Sequence, residues 1–227
     1  MKICIFGDSI GKGIQLPDSG RYEKIKLNLN ELIGRDDLIV NNYSVFGCTL
    51  TKALSIIKNH TSELAEFDSV FLELGGNDCD FNWQEVSDAP NEEHKCKTPF
   101  GVFEETYQKM IEVIRSNGGN PIILTMPPLV AERYFSWVSQ GKHPENILSW
   151  LGSVASIYRW QEMYNLKVVM LAKKLNVRLI DIRTAFLQNH HYEDIISKDG
   201  IHPNEIGYEL IYRTVAEQYR VISRQEG

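Results

Sequence analysis

No apolar run in the 227-residue chain approaches the roughly 18 residues that a membrane-spanning helix needs. The sequence therefore predicts no membrane span. Cysteine is scarce. Cys4, Cys48, Cys79 and Cys96 are the full set, and no two of them form the C-x-x-C pair of a zinc ribbon or a thioredoxin-type site. No Cys and His cluster stands at zinc-ligand spacing, so no metal is predicted. Positive charge is also short: 24 Lys and Arg against 30 Asp and Glu give a net charge of -6. That balance argues against a general nucleic-acid or anionic-membrane binder. Phosphate-binding glycine loops are missing too. Gly7 and Gly11 enclose three residues where a Walker loop needs four, and Lys12 is followed by Gly13. Gly11-Lys12-Gly13 lacks the third glycine of a dinucleotide fingerprint. At the amino end only Ile3 to Phe6 are apolar before Gly, Asp and Ser follow. That stretch is too short for a signal-peptide core, and the expectation is a cytoplasmic protein with reduced thiols.

What is present is ordinary for a globular protein: 43% hydrophobic and 24% charged residues. The length predicts one domain over residues 1–227, long enough to bury about 70% of its unfolded surface. Short apolar runs mark five strands: Ile3–Phe6, a segment within Asp37–Tyr43, Ser69–Leu74, Pro121–Thr125 and Val177–Asp181. Most are β-branched and apolar on both faces, as strands covered by helices on both sides must be. Phe103, Tyr107, Met110 and Ile114 recur along one helix face, and Asn117-Gly118-Gly119 ends that helix. Ile157, Tyr164, Val168, Leu171 and Leu175 make a second stripe. Ile206, Leu210, Val215 and Tyr219 make a third, within a helix over 204–219. This alternation predicts a three-layer α/β/α domain with a mainly parallel sheet. Two segments break it, one acidic near 79–99 and one aromatic near 127–152. Insertions after strands in such a sheet build the ligand mouth.

Four short elements carry chemistry. The first strand runs into Gly7-Asp8-Ser9, which puts a hydroxyl at the carboxyl edge of the sheet, where a following helix would aim its N–H groups. Taken alone, Ser9 reads more readily as a helix cap. The third strand ends in Gly75-Gly76-Asn77-Asp78. Its glycines allow close backbone approach, and the Asn77 amide can donate to an oxyanion. An Asn-Asp turn is the plainer alternative. Gly47, after the second strand, can present a bare N–H or simply make a turn. Near the end stands Asp199-Gly200-Ile201-His202-Pro203. Here the carboxylate can reach one imidazole nitrogen and leave the other free as a base. The remaining His residues, at 60, 94, 143, 190 and 191, have no comparable partner nearby.

Together these elements are far more specific than any one of them. The chain resembles the GDSL esterases and lipases, specifically the SGNH hydrolases. Gly7-Asp8-Ser9 matches the nucleophile block, with Ile10 where Leu is usual. Gly47 within N-x-S-x-x-G-x-T matches the glycine block. Gly75-Gly76-Asn77-Asp78 matches the asparagine block, and Asp199 to Pro203 the acid–base block. The stretch 79–176 carries no such motif. The resemblance implies a flavodoxin-like fold with a five-stranded parallel sheet in the order 2-1-3-4-5. It also implies hydrolysis of a carboxylic ester without metal or organic cofactor. Ser9 would be the nucleophile, His202 the base and Asp199 its orienting acid. The N–H groups of Ser9 and Gly47 and the Asn77 amide would receive the oxyanion. The expected substrate is a small-molecule or carbohydrate ester with a short acyl group, such as acetyl on a sugar. Asp8, Asp78, Tyr134 and Trp137 are the expected substrate-binding residues, and aromatic faces suit a sugar ring. A lipase, lysophospholipase or thioesterase acting on longer acyl chains is the enzymatic alternative. A non-catalytic binding module would be expected to have lost Ser9 or His202, and both are present. An oligomeric state is not specified.

Overall fold

The computed structural model describes residues 1–27, 30–31 and 37–224. Among them, seven strands form: β1 (Lys2–Gly7), β2 (Ile14–Gln15), β3 (Glu23–Lys24), β4 (Ile39–Asn42), β5 (Ser69–Glu73), β6 (Pro121–Leu124) and β7 (Arg178–Ile180). Five of them join in one parallel sheet in the order β4-β1-β5-β6-β7. β2 and β3 make a separate antiparallel ribbon. The five expected strands and their order are therefore present.

Side chains in a strand alternate between two faces, and here both faces are apolar. Cys4 and Phe6 of β1, Val70 and Leu72 of β5 and Ile123 of β6 enter one core. Ile3, Phe71, Ile122 and Leu124 enter the other. The first core is covered by helices Leu50–Asn59, Phe100–Ser116 and Ala155–Lys174, through residues such as Ile57, Phe103 and Val168. The second is covered by helices Ile182–Leu187 and Glu205–Arg224, through Phe186, Tyr208 and Ile211. Each fully buried side chain of this size adds about 1.5–3 kcal/mol of transfer free energy. That is why a sheet apolar on both sides does not remain two-layered.

The segments that break the alternation fold against each other at the carboxyl end of the sheet. The first holds helix Trp83–Asp88, and the second holds helices Ala131–Val138 and Pro144–Leu151. Pro144 opens its helix where no N–H partner exists to be lost, and Gly152 closes it with φ 69°. The Ser87 hydroxyl accepts the His143 N–H (2.9 Å), and the Ser87 carbonyl accepts the Asn146 amide (2.7 Å). These bonds tie the two insertions together.

Three expectations change in the structure. β4 pairs only with β1, so it is an edge strand, and Ile39 is 58% exposed rather than covered. On helix Glu205–Arg224 the buried face is Tyr208 and Ile211, while Ile206 is 63% exposed. The other expected residues, Leu210, Val215 and Tyr219, pack against the core half-buried, and Gly207 lies so close to Ile195 and Pro203 that a side chain would not fit. The Tyr208 hydroxyl also donates to the Ile14 carbonyl (2.6 Å). Finally, no helix follows Ser9 directly. Asp8 to Gly13 form a tight turn, closed by Lys12 N–H to the Asp8 carbonyl (3.0 Å) and Ile14 N–H to the Ser9 carbonyl (2.9 Å).

Candidate active site

The turn after β1 places Ser9 at the sheet edge, 7% exposed. Gly7 is required there, because a side chain would collide with the Ser44 hydroxyl. On the opposite side, Asp199 to Pro203 form a loop between Ile196 and the last helix, held by Ser197 N–H to the His202 carbonyl (2.7 Å). Gly200 adopts φ 79°, and its carbonyl accepts the Val130 N–H (2.8 Å). That turn lets one oxygen of Asp199, Oδ1, accept the N–H groups of Ile201 and His202 (3.1 Å each). The other oxygen, Oδ2, lies 2.6 Å from His202 Nδ1. His202 Nε2 lies 2.8 Å from Ser9 Oγ, across 193 residues of sequence.

A carboxylate can only accept hydrogen bonds, so Nδ1 carries the proton and Nε2 offers its lone pair to the Ser9 hydroxyl. Asp199 and His202 are both buried. Burial pushes the Asp199 carboxyl up. Its hydrogen bond with the His202 ring, the His202 charge and the two backbone N–H groups outweigh this and hold it below the usual carboxylate value. Asp199 is thus an anion whose orientation is over-determined.

Two glycines shape the other wall. Gly47 sits in the left-handed region at φ 69°, with open space beside its α-carbon. Gly75 adopts φ 132°, where a side chain would strike Met126. Asn77 follows, and its Nδ2 donates to Asp8 Oδ2 (2.9 Å). Ser9, Gly47, Asn77 and His202 all line one cleft of about 390 Å³.

The four expected substrate contacts divide. Trp137 lines the cleft and packs edge-on against Tyr22 (6.1 Å between centroids). Tyr134 lines it as well, but its hydroxyl donates to Asp80 Oδ1 (2.6 Å). Asp8 lies in the cleft floor with both oxygens occupied, Oδ1 by the Ile10 N–H (2.8 Å) and Oδ2 by Asn77. Asp78 is not a cleft residue: it is fully buried. Its carboxylate accepts the N–H of Leu50 (3.0 and 3.3 Å) at the start of helix Leu50–Asn59. Burial pushes its pKa up to about 6, against the bonds from Thr98 and Leu50.

Sequence reasoning passed over several cleft residues. Tyr22 and Phe46 cover the His202 ring at 5.2 and 5.9 Å between centroids. Phe46 stands beside Gly47 in its block, which was a usable signal, whereas nothing around Tyr22 gave one. Asp80 receives Trp83 Nε1 (2.8 Å) as well as Tyr134, and pairs with Lys97 (2.8 Å). Trp160 also lines the cleft. Among the described residues no group of His, Cys, Asp and Glu is arranged to hold a metal ion, and no helix is long and apolar enough to cross a membrane. All four cysteines are free and buried.

Comparison with known proteins adds a lineage to this geometry. The model of the GDSL-like Lipase/Acylhydrolase family matches residues 5–210. A search of curated proteins finds no match. Solved structures share the fold at low identity. A lipase/acylhydrolase from Enterococcus faecalis superposes with a TM-score of 0.65 at 21% identity, covering 96% of this chain and 94% of that one. A lipolytic protein of the G-D-S-L family from Veillonella parvula gives 0.61 at 21%, covering 96% and 97%. A catalytic mutant of an acetylxylan esterase from Geobacillus stearothermophilus gives 0.64 at 17%, covering 96% and 93%.

Proposed function

The chain belongs to the GDSL-like lipase/acylhydrolase family and is an ester hydrolase, and from this premise we propose that it cleaves a carboxylic ester with a short acyl group, such as acetyl on a carbohydrate, through Ser9, His202 and Asp199. One observation carries the reading: His202 Nε2 stands 2.8 Å from Ser9 Oγ while Nδ1 is held 2.6 Å from Asp199. In this mechanism Ser9 attacks the ester carbonyl as His202 takes its proton. The oxyanion that forms is received by the N–H groups of Ser9 and Gly47 and by the second N–H of Asn77 Nδ2. His202 passes the proton to the departing alcohol, leaving an acyl-serine. A water then attacks, giving its proton to His202, and the acid departs as Ser9 is restored. Asp199 holds the tautomer and stabilises the imidazolium.

The substrate class rests on the cleft walls. Tyr22, Trp137 and Trp160 contribute aromatic rings, and the Asp80–Lys97 pair offers charged hydrogen-bonding groups beside them. That combination suits the alcohol part of a sugar ester. The acetylxylan esterase with a similar fold is in keeping with it. Leu129, Val138 and Ile157 also line the cleft, and they favour longer acyl chains as the second reading. The test is a panel of p-nitrophenyl esters from acetate to palmitate beside acetylated sugars, with Ser9→Ala as control. Acetyl substrates should be preferred, and Ser9→Ala should lower kcat by about 10⁴ or more. Wild-type-like turnover by Ser9→Ala would overturn the mechanism, and a preference for palmitate the substrate class.

A further inference from the structure

We propose that a second cavity beside the cleft extends the substrate site and takes a pyranose ring of a saccharide ester; this rests on the ester-hydrolase reading above. The cavity holds about 500 Å³. Phe81, Leu151, Ser156 and Trp160 line it and the catalytic cleft alike, so the two share a wall. Beyond that wall Phe100, Trp150 and Tyr164 add aromatic rings to the lining. Trp150 meets Phe81 edge-on at 4.9 Å between centroids, and Phe100 lies 5.5 Å from Trp160. The outer rim is polar, with Glu93, His94 and Lys95. The His94 ring is fixed edge-on to Trp150 (5.5 Å) by a bond to the Ala89 carbonyl (2.9 Å). An alkyl chain gains most from enclosure by aliphatic groups, of which this cavity has few. A pyranose gains from a flat ring against its C–H face and polar groups around its hydroxyls, which is what the cavity provides.

The test compares kcat/KM for monoacetylated methyl β-xyloside and monoacetylated xylotetraose, with p-nitrophenyl acetate as the measure of the triad itself. The wild type should favour the longer saccharide by about tenfold, and Trp150→Ala should remove most of that ratio. Because Trp150 packs on Phe81 and Trp83, the rim variant Glu93→Ala/Lys95→Ala gives a second reading, expected to lower the ratio about threefold. An equal rate on both saccharides in wild type, or a ratio unmoved by both variants, would overturn the subsite. So would a preference for palmitate that Trp150→Ala abolishes, since that would seat an acyl chain in the cavity. Absence of p-nitrophenyl acetate hydrolysis would instead defeat the ester-hydrolase reading.

Discussion

Replacing Asp199 by Asn changes one atom, and the structure says what that atom does. Asp199 Oδ1 accepts two backbone N–H groups and Oδ2 faces His202 Nδ1. An Asn in this place has one acceptor and one NH₂. If its oxygen keeps the two backbone donors, the NH₂ points at Nδ1 and imposes the tautomer protonated on Nε2. That ring directs an N–H at Ser9 and has no lone pair for its proton. If the amide turns over, the imidazole keeps its tautomer but two buried backbone N–H groups face an NH₂. Each unsatisfied donor costs about 1–3 kcal/mol. The productive arrangement therefore lies roughly 2–6 kcal/mol above the unproductive one, and the lost carboxylate no longer stabilises the imidazolium. At about 1.4 kcal/mol per tenfold, kcat on p-nitrophenyl acetate should fall by roughly 10²–10⁴, with KM nearly unchanged. Stopped-flow or steady-state assays at neutral pH measure this, and circular dichroism confirms the fold. A loss under about tenfold would refute the reasoning, since it would mean that another group orients His202.

Asn77→Ala should reduce kcat by about 10²–10³ and leave KM close to wild type; a change confined to KM would make Asn77 a ground-state contact. The Asp78 carboxyl is raised to about 6 by burial, so its neutral form is favoured in the fold. That contribution is fully present below the unfolded value near 4 and lost as pH rises through about 6. Between about pH 3 and pH 8, chemical denaturation should show wild type losing about 3 kcal/mol more stability than Asp78→Asn, and equal losses would show that Asp78 is not so shifted. Gly200→Ala puts a methyl within 2.5 Å of the Tyr134 nitrogen at φ 79°, and thermal melts should reveal a loss of about 2–5 kcal/mol together with loss of activity. An unchanged melting temperature would mean that the loop is free to move.

The sequence alone determined whatever depends on neighbours in the chain. Strands apolar on both faces called for helices on both sides, because burial of alternate residues leaves no face for water. Asp199 and His202 stand three residues apart in a turn with Gly between them, so their contact is local and was legible. The motif blocks also placed Ser9, Gly47 and Asn77 at strand ends. What lay beyond reach were contacts made by chain segments far apart. The Ser9–His202 bond spans 193 residues and exists only because β1 and the Asp199–Pro203 loop meet at one sheet edge. Asp8 and Asp78 are the same residue type in two of the motif blocks, yet one holds Asn77 and the other the start of a helix. Trp137 and Trp150 come from one aromatic insertion, and only packing put the first in the cleft and the second in the neighbouring cavity. Tyr22 covers His202 from a loop with no periodic signal. Side-chain direction at the end of a long loop closure is set by the surfaces it meets, and those surfaces do not exist until the tertiary structure forms.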